Sequence, residues 1–183
     1  MSADMSAMSR PQPFPVKLQV RAGARDFQRL PRVQEDLVQT LFLQLEATIS
    51  KGMPRPTCLA LGPESVLQYD LLPLVREGSD LHRFIASVAG GDGVETVGVV
   101  GVLQSSNPQH SGPMAVVFLE DSDGRWWHAW KPIFQGQETL FGTQRYTSAE
   151  AGDPRPPGLG GWWARARSQD LRLRVDHLGG TIH

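Results

Sequence analysis

The chain has 183 residues, 40% of them apolar and 20% charged, which suits one domain with a sizeable core rather than a disordered or fibrous polymer. A net charge of −1 removes any global pull toward nucleic acid or an anionic membrane. The single cysteine, Cys58, excludes an internal disulfide framework and a cysteine-rich zinc site, no run approaches the roughly 20 apolar residues of a membrane helix, and MSADMSAMSRPQPFP has no apolar signal core. These features describe a cytoplasmic protein with no membrane association.

Residues 1–13 are small, polar and proline-containing, and read as a disordered tail with nothing to bury. Residues 14–183 then read as a single domain. Val16, Leu18 and Val20 alternate with Lys17, Gln19 and Arg21, the pattern of a half-buried strand with a basic face. Val33, Leu37, Leu41, Leu45 and Ile49 recur four apart and predict a helix. Glu35 and Asp36 suit its first turn, where the helix dipole favours anions, and Lys51-Gly52 suits its end. Thr57 to Leu61 is a short apolar strand stopped by Gly62-Pro63. Leu67, Leu71 and Leu72 predict a helix over Glu64 to Leu72, which Pro73 then breaks. Ser79 is the expected N-cap of a helix over 80–89, with Leu81, Phe84, Ile85 and Val88 inward and Gly90-Gly91 as the stop.

The second half reads as strands. Val94 to Leu103 is β-branched, with Gly98 and Gly101 marking a bulge or a close approach. Residues 104–113 read as a polar loop. Ala115 to Leu119 and Trp126 to Trp130 flank Asp121-Ser122-Asp123-Gly124, whose Asp and Gly tolerate the left-handed backbone of a tight reversal. Two registers are open. A two-residue loop pairs Leu119 with His128, and a three-residue loop with a glycine bulge pairs Phe118 with His128. Both strands are apolar on both faces, so both faces need cover. Thr139 to Thr147 predicts a further strand, and 148–161 a Pro/Gly loop long enough to be functional or mobile. Trp163, Arg165 and Arg167 alternate with Ala164 and Ala166, then Leu171, Leu173 and Val175 with Arg172, Arg174 and Asp176, as in edge strands.

The expected fold is α+β: a mainly antiparallel sheet of about six to eight strands, with two or three helices from the N-terminal half on one face and a β-meander in the C-terminal half.

Catalytic signatures are sparse. There is no nucleophile elbow, and GGDG at 90–93 lacks the lysine of a phosphate loop. Cys58 lies in an apolar strand, where a thiol is inert. The five histidines show no metal spacing, and Glu120, Asp121 and Asp123 lack the remaining ligands of a calcium loop. No metal or cofactor is expected. The weak catalytic candidates are His128, Glu95 and Glu120, carboxylates on or beside apolar strands with a neighbouring imidazole. The densest feature is aromatic and basic: Arg125, Trp126, Trp127 and Trp130, with Trp162, Trp163, Arg165 and Arg167, include all five tryptophans. Such clusters form cores, protein interfaces or single-strand stacking platforms, and the sequence ranks them in that order. Residues 1–30 carry five cations against two acids and residues 64–95 two against six, which suits a chain that docks a partner or its own copy.

The first functional expectation is therefore a non-enzymatic protein-binding module, an adaptor or accessory subunit, with a protein partner or a homodimer that involves Trp162 or Trp163. A small hydrolase using His128 with Glu95 or Glu120 is the alternative. Single-stranded nucleic-acid binding comes third.

Overall fold

The computed structural model describes residues 34–63, 66–107 and 110–173. The tail at 1–13 and the strand read at Val16 to Val20 lie outside the described residues.

Helix α1, Gln34–Ile49, forms where the fourfold apolar spacing predicts it, and it buries Leu37, Val38, Leu41, Phe42, Leu45 and Ile49. Seven strands follow: β1 Thr57–Leu61, β2 Val66–Asp70, β3 Thr96–Asn107, β4 His110–Asp121, β5 Trp126–Gln135, β6 Thr139–Phe141 and β7 Arg145–Ala149. Every pairing is antiparallel, in the order β2-β1-β3-β4-β5-β6, and β7 continues along the same side of β5 as β6. The architecture is α+β, as expected.

Four local readings change. Val66–Asp70 is a strand rather than a helix, because five consecutive pairs hold one side of its backbone to β1. Helix α2, Leu72–Arg76, holds Pro73 in its first turn instead of being broken there, where the missing amide would have had no partner anyway. Helix α3, Leu81–Ala89, is capped by Asp80, whose side chain accepts the Arg83 amide at 3.0 Å, so the cap lies one residue past Ser79. The polar segment 104–113 is no open loop, since β3 and β4 stay paired from Gln104↔Pro113 to Asn107↔His110. Backbone pairing needs no apolar side chain there.

The largest correction concerns the C-terminal tryptophans. Trp162–Gln169 is helix α4, not an edge strand, with Trp162, Trp163 and Ala166 turned inward. That spacing is one helical face. Gly160 and Gly161, at φ of 78° and 74°, supply the left-handed turn that starts it, and Asp170 at φ 48° ends it. Leu173 then donates its amide to the Ser87 carbonyl at 2.8 Å. Arg174 and Val175 lie outside the described residues.

The hairpin β4–β5 takes the three-residue register, with Phe118↔His128 and Leu119↔Trp127, and Gly124 at φ 86° provides the bulge. Its two faces are buried in two cores. On one, α1 packs over Leu59, Ala115, Val117, Leu119, Trp127 and Ala129. On the other, α3 and α4 pack over Cys58, Ala60, Val97, Val99, Phe118 and Trp126. Helices therefore cover both faces, not one, and α4 comes from the C-terminal end. Gly98 makes the close approach between β3 and β4 possible, since a Cβ there would lie 2.3 Å from Leu119 Cδ2 and 2.7 Å from the Phe118 carbonyl. Among the described residues no helix is long and apolar enough to cross a membrane.

Candidate functional site

The Trp/Arg clusters do not form a surface. Trp126, Trp127, Trp162 and Trp163 are all buried. On the α4 face, Phe118 is the hub: Trp126 stacks on it with centroids 5.9 Å apart, and Trp162 meets it edge-on at 5.4 Å. Three of these four indole N–H groups are held by protein: Trp162 by His82 Nδ1 at 3.1 Å, Trp163 by the Glu120 carbonyl at 3.1 Å, and Trp127 by Glu35 Oε1 at 3.2 Å on the other face, whereas Trp126 Nε1 has no protein partner. Of the five tryptophans only Trp130 is half-buried, lying 4.6 Å from His128 in a stack. The arginines reach outward but are engaged: Arg125 with Asp121 at 2.8 Å, Arg165 with Asp80 at 2.9 Å, and Arg167 with the Ser122 carbonyl at 3.2 Å. An interface through Trp162 or Trp163, and a stacking platform on exposed tryptophans, are thus corrected. Their large apolar areas fill the second core instead.

The catalytic candidates divide. Glu95 is exposed in the turn before β3, where only its backbone is engaged, donating to the Leu61 carbonyl at 2.8 Å and accepting from Ser122 at 2.9 Å. Glu120 and His128 do share the α4 face of the hairpin. Glu120 is 0% exposed and His128 8%. Burial drives the His128 imidazole down from 6.5 to about 4, so it stays neutral, with Phe118 edge-on at 5.9 Å. Burial raises the Glu120 carboxyl, against the pull of Arg155 and of the amides at the start of α4. Its Oε2 accepts the Gly161 N–H at 2.6 Å and lies 3.5 Å from Arg155 Nε. This carboxylate serves the helix start as an anchoring anion. Asp121 is likewise structural: its Oδ1 accepts the amides of Asp123 at 3.0 Å and Arg125 at 2.9 Å, shaping the hairpin turn. The Cys58 thiol is fully buried, and desolvation pushes it well above its usual range. Among the described residues no three His, Cys, Asp or Glu side chains come together as a metal would require.

An accessible concave feature lies on the other face. Helix α1 crosses β3, β4 and β5 and leaves the outer strands β1 and β2 partly uncovered. Between them is an open groove of about 550 Å³. Its floor is Leu41 and Leu45 of α1 with Leu59 and Val100 of the sheet, and its walls carry Gln44, Thr48, Thr57 and Gln68. At one end Arg55 pairs with Asp70 at 2.7 Å, and Asp70 Oδ1 also accepts the Leu72 amide at 2.9 Å. The lining contains no histidine, cysteine or glutamate, and its one carboxylate is committed to an arginine and an amide. Such a surface can recognise but has no free group for proton transfer or nucleophilic attack. Sequence reading missed it because its residues come from four separate segments. The available signal was Gln44 and Thr48, uncharged polar side chains flanking the Leu41–Leu45 stripe.

Comparison with protein-family models, with curated proteins and with solved structures gives no match for this chain.

Proposed function

We propose that this chain is a non-enzymatic protein-binding module, an adaptor or accessory subunit, and that it meets its partner in the groove between α1 and the outer strands. The observation that carries this reading is a separation. The side chains that could serve as nucleophile, acid or base in the core, Cys58, Glu120 and His128, are buried, whereas the open groove presents an apolar floor with amide and hydroxyl walls. A few polar groups around apolar contacts fix orientation, which is the composition of a recognition site.

The test uses Thr48→Arg. Thr48 is exposed on α1, and its hydroxyl bonds only locally, to the Gln44 carbonyl at 2.9 Å. Arginine there fills the groove and is a better helix former than threonine. The whole chain, cross-linked in native extract, should yield a defined protein complex that Thr48→Arg abolishes while the melting curve is unchanged. A chain that emerges alone, or a complex indifferent to Thr48→Arg, overturns the reading.

A further inference from the structure

Strand β2 pairs with β1 on one side and, among the described residues, with no strand on the other. Natural sheet edges are usually blunted by lysine, proline, a bulge or a covering element. Strand β2, VLQYD, has none of the first three: five register pairs run without a bulge, and its one charge, Asp70, is held by Arg55. The opposite side of the sheet is protected differently. There β6 has three residues, β7 begins with Arg145, and Gly142 and Gln144 interrupt the edge between them.

The groove lies beside this edge, which is open among the described residues. Gln68 is directly opposite Leu59 and Asp70 opposite Thr57, so β2 turns these alternate side chains toward the groove. A strand laid against β2 would run about 4.8 Å beyond it and direct every second side chain to the same face. We infer that β2 is a strand-addition edge, and that its occupant is an extended partner segment bearing long apolar or aromatic side chains at alternate positions. Long side chains are required because they must reach past β2 to the floor at Leu41, Leu45 and Val100. The segment carries few charges, because Arg55 and Asp70 already neutralise each other and the remaining walls are amides and hydroxyls. Main-chain hydrogen bonds supply affinity in this mode, and the alternate pockets supply specificity. The inference rests on the binding reading above and adds the geometry and chemistry of the partner.

The probe is a displayed library of random linear peptides selected against the full chain. Selected peptides should alternate apolar and polar residues and lose binding to Thr48→Arg. They are then synthesised with N-methyl groups on either of the two alternating sets of backbone nitrogens. Methylating the set that faces β2 should weaken binding about tenfold per position, and the other set less than about twofold, since only one set donates to an adjacent strand. Peptides that need the groove but tolerate both sets overturn strand addition and leave the binding module standing. If no selected peptide depends on the groove, both fall.

Discussion

Replacing His128 by phenylalanine should make the protein more resistant to acid, by an amount the structure allows one to calculate. His128 is 8% exposed and lies between Phe118 and Trp130, and burial lowers its imidazole from 6.5 to about 4. The unfolded chain therefore binds a proton that the folded chain refuses. The associated stability is fully present above the unfolded value and is lost as pH falls from 6.5 toward about 4. With one pKa unit worth about 1.36 kcal/mol, the loss between roughly pH 7.5 and pH 4.5 is about 2–3 kcal/mol. Phenylalanine keeps the ring in the stack, removes the titration, and also removes a buried Nε2 that has no protein partner. At neutral pH the variant should equal or slightly exceed the parent, because a buried unsatisfied group costs about 1–3 kcal/mol. Urea unfolding of both proteins at the two pH values isolates the effect. For a slope of about 2 kcal/mol per molar, the difference between their midpoints should grow by about 1 M on acidification. Glu120 works in the opposite sense: its carboxyl is raised in the folded state, so its contribution to stability improves as pH falls, and it cancels in the comparison because both proteins retain it. A midpoint difference that does not change with pH would refute the placement of a neutral His128 in the core.

Trp163→Ala should destabilise the domain by about 3–5 kcal/mol in urea unfolding, as expected when a buried aromatic is truncated and its hydrogen bond to the Glu120 carbonyl is lost. An unchanged midpoint would return Trp163 to the surface. Gly98→Ala should cost at least about 1–3 kcal/mol, because its Cβ would press on the Phe118 carbonyl, a backbone atom that cannot swing away. If a Gly98→Ala protein melts with the parent, the β3–β4 spacing described here is wrong.

Much of the fold was legible where one local signal dominates. The fourfold spacing in α1 admits only a helix over so many turns, and the Asp-rich turn with Gly124 admits only a reversal. The hairpin register was left between two choices, and the bulge at Gly124 decided it. Legibility failed in short windows. Trp162–Gln169 has eight residues, and over two turns a twofold alternation and a helical face can be drawn through the same side chains. What decides there is tertiary: left-handed Gly160 and Gly161 upstream, and the Glu120 carboxylate from a strand 41 residues earlier in sequence to receive the first amide. Val66–Asp70 is similar, since Leu67 and Leu71 lie four apart, yet pairing with β1 overrides the helical spacing. For the site, composition located the aromatic density correctly but not its side of the surface. Two-sided apolar strands require two covers, and the tryptophans supply the second.

Helix α1 leaves the ribosome long before the sheet it covers. Its Glu35 bonds Trp127, 92 residues later, so the platform under the leucine stripe of α1, begun by β1, β3 and β4, is complete only when β5 has been made. At typical synthesis rates of about 5–20 residues per second that interval is roughly 5–20 s. Throughout it, the six apolar side chains that α1 buries in the folded protein lack their full cover. The second core waits longer still, for α4 to pair Trp162 with His82, 80 residues away. Contacts of such sequence separation slow folding. A slower-translating host lengthens the time for which the stripe is incompletely covered, and should yield more aggregate from the same message.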